Sequence, residues 1–205
     1  MTGSRGLAAL AVAGPVLFTL AWLVLGAATG GYSQPAETIS ALAAPGSPGR
    51  PAMVAGMAVL TLSLAGTALL VGRSGRYAVP TTALLIAGTA GSLVATVFPT
   101  GCTNPAWCDP VSSSPVGTTH AVGAGLLFVG LPVAMLTVAV TRGAGRAARW
   151  CSAATFAVAA PLLAWFVLGP DDWSGLAEKI FLTVLLVWTA ALGLSARRPA
   201  PTPWR

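Results

Sequence analysis

Charge is what this chain has least of. Only 8% of its 205 residues are Asp, Glu, Lys or Arg, against about a quarter in a soluble domain. A chain so poor in charge cannot cover a globular surface facing water, so part of its solvent is hydrocarbon. Acidic residues are rarest: Glu37, Asp109, Asp171, Asp172 and Glu178 are all there are. Lysine occurs once, as Lys179, and histidine once, as His120. A single histidine excludes any metal site built on several of them, and no metal or other cofactor is expected. No charge falls in the middle of an apolar run, which argues against an ion-coupled pump. Short alternating segments are missing too, and with them the pattern of a membrane β-barrel.

What remains is 55% hydrophobic and is gathered into runs. They cover roughly 7–29, 51–72, 78–98, 119–141, 150–169 and 178–196. Each is about 20 residues, the length a helix needs to cross about 30 Å of hydrocarbon. Backbone polar groups in lipid must be satisfied inside the segment, which again favours helices. The expected fold is all-α: a six-transmembrane-helix bundle forming a single integral-membrane domain over 1–205. The first run reads as a retained span, because it is longer than the apolar region of a signal peptide.

The basic residues sort by side. Arg5, Arg73, Arg76, Arg142, Arg146, Arg149, Arg197, Arg198 and Arg205 fall at the termini and in the second and fourth loops. Arg50 and Lys179 alone fall on the opposite side, together with all five acidic residues. By the positive-inside rule both termini are cytoplasmic. This sorting accounts for the net charge of +6 without a nucleic-acid partner. Arginine in place of lysine, with abundant Ala and Gly, suggests a high-GC bacterial genome and hence the bacterial plasma membrane. Small residues at four-residue spacing, Ala87 with Gly91, Gly88 with Ser92 and Ala121 with Gly125, suit close helix packing in lipid.

The outer loops carry the chemistry. Cys102 and Cys108 lie six apart in an oxidising compartment, and a disulfide is the leading reading. Free thiols and a metal site stay open as alternatives; the spacing is wider than the usual zinc pair. In the first outer loop a short interfacial helix is expected over about 35–43, started by Pro35. Ala36, Ile39, Leu42 and Ala43 would form its apolar side, and Glu37 and Ser40 would sit together on its edge. His120 is expected to open the fourth helix, capped by Thr118 or Thr119. Glu178 is expected near the start of the sixth, deep enough to need a partner.

Four segments together resemble one family. They are "YSQPAETISALAAPGSP", "FPTG", the histidine opening the fourth run, and "GLAEKI". The chain is similar over roughly 7–196 to the domain-of-unknown-function 998 family of bacterial multi-pass membrane proteins. The most specific elements are Ile39, Ser40 and Leu42 in one segment and Gly175, Leu176, Glu178 and Lys179 in the other. Gly101 stands where the family pattern often has an acidic residue. The resemblance implies six helices and no particular activity.

Two functional readings follow. The first is a non-catalytic accessory or lipid-binding membrane component, whose partners are the bilayer, a lipid or amphipathic small molecule, or another membrane protein. The alternative is a membrane-embedded enzyme acting on a lipid through an outward-facing pocket of His120, Glu178, Glu37 and Ser40. In it, His120 would work with a carboxylate as acid and base, or Ser40 as nucleophile. The zinc centre of ceramidase-like hydrolases uses three histidines, so here carboxylates would have to replace two of them.

Overall fold

In the computed structural model, residues 2–100 and 115–197 are described. Among them there are six long helices and no strand. The helices are α1 (Thr2–Ala28), α2 (Arg50–Ser74), α3 (Val79–Val97), α4 (Pro115–Val140), α5 (Arg146–Leu168) and α6 (Asp171–Ala196). All six are long and apolar enough to cross a membrane. Pro15, Pro132 and Pro161 are accommodated inside α1, α4 and α5. Cys102 and Cys108 lie outside the described residues, as do Trp107 and Asp109.

Each helix packs on the next, and α6 returns to pack on α1 and α2. The chain thus closes a ring. Its helices are not equally placed. In the most apolar window of α6, 56% of residues are buried, against 11% in α5. Phe181 and Leu185 of α6 are fully buried, and the Phe181 ring meets Phe128 of α4 edge-on at 5.5 Å. α5 therefore forms the outer wall and α6 the spine.

Small residues set a close contact between α3 and α4. A Cβ added to Gly123 would lie 2.8 Å from the Gly91 carbonyl oxygen and 2.9 Å from the Ala95 nitrogen. Only glycine permits that approach. Hydroxyl pairs stitch neighbouring helices: Thr61 with Ser92 at 2.7 Å, and Thr81 with Thr137 at 2.8 Å. Such bonds between spans contribute about 0.6 kcal/mol each.

The two ends of the ring differ in charge. One collects Arg5, Arg73, Arg76, Arg142, Arg146, Arg149 and Arg197; the other collects Glu37, Asp171, Asp172, Glu178, Arg50 and Lys179. They are called here the basic and the acidic end.

Two expectations need correction at the acidic end. The segment after α1 is not a helix over 35–43 lying on a surface. It runs extended and turned from Tyr32 to Thr38 and forms a short 3-10 helix only over Ile39–Ala43. Ile39, Ala41, Leu42 and Ala43 are buried, and the element packs on α1, α2 and α6. The second correction concerns α4. It begins at Pro115, ahead of both threonines, so neither Thr118 nor Thr119 caps it. The Thr119 hydroxyl donates to the Pro115 carbonyl at 2.8 Å, and His120 stands inside the second turn.

Candidate functional site

The acidic end is held together by one side of α6 and a strap, residues 32–39. Lys179 enters the strap from below. Its Nζ donates to the Glu37 carbonyl at 2.6 Å, to the Gln34 carbonyl at 2.8 Å and to the Gly175 carbonyl of its own helix at 3.3 Å. The ammonium also lies 5.1 Å from the centre of the Tyr32 ring, a cation–π distance. The Tyr32 hydroxyl lies 3.1 Å from both the Glu37 and the Thr38 carbonyls. Leu176 N–H donates to Pro35 at 2.7 Å, and the Ser174 hydroxyl donates to Ala36 at 3.1 Å.

Five consecutive carbonyls, from Gln34 to Thr38, are thus taken by α6 or by Tyr32. This is why the strap is not helical. A helix from Pro35 would need those carbonyls for its own N–H groups. Buried charged and hydroxyl donors outcompete it, since a buried donor without an acceptor costs about 1–3 kcal/mol. Gly175 allows the arrangement. A Cβ there would meet the Glu37 carbonyl carbon at 2.6 Å and its nitrogen at 2.7 Å.

Glu178 holds the next residue. Its Oε2 accepts the Ile39 N–H at 2.7 Å, and the side chain is only 4% exposed. Its other oxygen takes no hydrogen bond among the described residues. Tyr32 lies outside the spans. Burial raises its hydroxyl well above the ordinary value of 10, and the Glu178 and Glu37 charges raise it further.

Beside the strap lies a cavity of about 400 Å³. Every helix contributes to its wall: Phe18, Leu60, Ala95, Leu127, Phe166 and Leu182 supply apolar surface from α1 to α6 in turn. The polar groups on the wall are Thr38, Ser40, Ser92, Thr100, His120 and Glu178. The cavity reaches the outside of the bundle along the seam of α4 and α5, where its lining residues Ala121, Val129 and Val167 are exposed.

His120 is buried and its orientation is fixed. Nδ1 lies 2.8 Å from the Phe98 carbonyl at the end of α3. A carbonyl only accepts, so Nδ1 carries the hydrogen and Nε2 of the neutral ring is left as an acceptor. Ser40 is turned to Thr38, with their hydroxyl oxygens 3.2 Å apart.

Three of the four candidate residues therefore meet at one cavity: His120, Glu178 and Ser40. Glu37 does not line it; its backbone carbonyl is gripped by Lys179 and Tyr32. Ser40 bonds Thr38 and His120 bonds the Phe98 carbonyl. Among the described residues, no three His, Cys, Asp or Glu side chains come together as metal ligands. Sequence reasoning missed Tyr32, Gly175, Ser92 and Thr38. Gly175 lay in the G-L-x-E-K segment, yet nothing local announced that strap backbone would rest on it.

The sequence pattern of one family, described as "Protein of unknown function (DUF998)", matches residues 12–195. No curated protein and no solved structure matches the chain. The match covers most of the chain, which therefore belongs to that family; in this chain six helices are long and apolar enough to cross a membrane.

Proposed function

We propose that the protein is a lipid-binding membrane component that holds one amphipathic molecule in the cavity at its acidic end. One observation carries this reading. A space of about 400 Å³, within the size range of small-molecule sites, has walls of Phe, Leu and Ala, with its few polar groups including His120, Glu178 and Ser40. Its mouth along α4 and α5 opens where lipid chains lie, so an amphiphile enters sideways without crossing water.

On the positive-inside reading of the arginines, both termini are cytoplasmic and the cavity lies at the outer leaflet. A reporter fused after Arg205 reads cytoplasmic on this reading, and an external signal there reverses the leaflet.

The binding test uses Gly125. This residue lines the cavity, and a Cβ on it would meet no atom within 4 Å. Gly125→Leu therefore starts its side chain in open space at the mouth and improves helix propensity. The variant should melt at or above the temperature of the unaltered chain. It should also retain far less co-purifying lipid by mass spectrometry of the protein released from nanodiscs. Equal lipid retention in both proteins would sink the cavity reading.

The enzymatic alternative needs a nucleophile or an activated water beside His120. Ser40 bonds Thr38 instead, and Glu178 spends one oxygen on the Ile39 N–H. Holding rather than cleaving is what these bonds support.

A further inference from the structure

The polar groups that line the cavity can be sorted by what they have left to offer. Glu178 has one oxygen spent on Ile39 and one without a hydrogen bond among the described residues. His120 has donated its Nδ1 hydrogen to Phe98, leaving the Nε2 lone pair. Ser92 sits beside Thr61, whose own hydroxyl donates to the Met57 carbonyl at 3.0 Å. The hydrogen in the 2.7 Å Ser92–Thr61 bond therefore comes from Ser92, whose oxygen keeps only lone pairs. Thr38 and Ser40 share one hydrogen between them, so that pair and Thr100 retain a hydroxyl hydrogen each.

Among the described residues, no lysine or arginine lines the wall. Lys179 is next in sequence to Glu178, but its three hydrogens go to three carbonyls. Arg50, the other basic residue of this end, is exposed and does not line the cavity. A phosphate or carboxylate inside would face a buried carboxyl group with no lysine or arginine on the wall to meet it. An anion buried without a partner loses its hydration with nothing to replace it. A head group that brings hydrogens of its own finds three acceptors waiting.

From this, and resting on the cavity reading above, we infer that the occupant is an amphiphile with a hydrogen-donating, non-anionic head group, an ammonium or a hydroxyl, directed at Glu178, His120 and Ser92. Its apolar tail lies against Leu127, Phe128, Phe166 and Leu182.

The test uses the full chain in nanodiscs of neutral lipid and three probes matched in tail: dodecylamine, monododecanoylglycerol and dodecanoate. Occupancy is read by native mass spectrometry, with empty nanodiscs correcting for partition into the lipid. Dodecylamine and the glyceride should bind at least about tenfold more tightly than dodecanoate, the factor expected for one hydrogen bond to a charged group. This comparison needs no variant. In Glu178→Gln the amide oxygen still accepts from Ile39 N–H, so the strap is kept. The amine should then lose about tenfold in affinity, and the glyceride less than about threefold.

Dodecanoate binding as well as or better than the other two would overturn the head-group inference. So would a Glu178→Gln chain that binds the amine unchanged. If all three probes bind alike and Gly125→Leu abolishes all three, the cavity reading stands and the head-group inference falls. If none binds above the empty-disc level, both fall together.

Discussion

The two ends of the bundle keep their charges in opposite ways. At the acidic end, Glu178 and Lys179 are each only 4% exposed, and their hydrogen bonds go to backbone. At the basic end, Arg5, Arg73, Arg142, Arg146, Arg149 and Arg197 are exposed. The tertiary ties there are few. Arg76 reaches the Ser195 carbonyl at 3.3 Å, and Tyr77 lies 2.6 Å from the Ser195 hydroxyl. Arg149 Nε donates to the Ala139 carbonyl at 2.9 Å near the end of α4, as a cation at a helix C-terminus should. The same residue class does two jobs. At the basic end a charge marks where the chain meets water; at the acidic end it replaces the secondary structure of a strap that would otherwise bury unpaired carbonyls.

The comparison breaks or holds most visibly at Lys179. Lys179→Met keeps much of the side chain's length and removes all three donors. The carbonyls of Gln34 and Glu37 lose their charged partner. Removing such a partner from buried acceptors costs on the order of 3 kcal/mol, and the protein in detergent should melt far lower or fail to accumulate. A variant that melts like the unaltered chain would show that the strap is held by packing alone.

Gly175→Ala should follow at about 1–3 kcal/mol, the usual cost of overpacking. The clash is with strap backbone at 2.6 Å and 2.7 Å, which no side-chain rotation relieves. Limited proteolysis should cut the strap between Tyr32 and Thr38 in this variant before any other described loop.

Tyr32 sharpens the comparison by pH. Its folded pKa is raised by burial, so the stability it brings is fully present below the unfolded value of about 10. That stability falls as pH rises past about 10 and is gone above the higher folded value. In a Tyr77→Phe chain, tyrosinate absorbance should stay absent well above pH 10 and appear only with unfolding. A reversible titration near 10 with helix content intact would place Tyr32 in water.

Least of all should happen at Arg142, exposed at the basic end. Arg142→Gln should change stability by no more than about 0.5 kcal/mol. A loss as large as that of Lys179→Met would erase the distinction between the ends.

These outcomes bear on what could be read before folding. That Glu178 needed a partner followed from its depth in an apolar run, but the partner did not. It proved to be the N–H of Ile39, 139 residues away. Pro35 argued for a helix start on local grounds, and locally the argument was sound. It failed because α6 and Tyr32 supply donors to carbonyls 34 to 38. The threonines before His120 looked like caps for an apolar run counted from there, yet the helix extends back through Gly117 and Val116 to Pro115. Small residues show the same limit. Gly123 closes the α3–α4 contact while Gly125, two positions on, faces open space. Composition treats the two alike.

The sequence by itself determined that six helices of membrane-crossing length would form and which ends would carry the arginines. Hydropathy summed over about 20 residues and charge in short loops are local properties, legible without contacts. Only the tertiary structure decided that the strap is fastened to α6 and that His120, Ser40 and Glu178 share a cavity. It also decided that Glu37 stands off the cavity wall and gives its backbone carbonyl to Lys179 and Tyr32. Those facts depend on how the ring closes, α6 upon α1 and α2, with α5 left outside. In lipid, apolar faces do not choose partners by hydrophobicity, since the solvent is apolar too. Small residues and scattered hydrogen bonds make that choice, and their pairing across more than a hundred residues leaves no local trace.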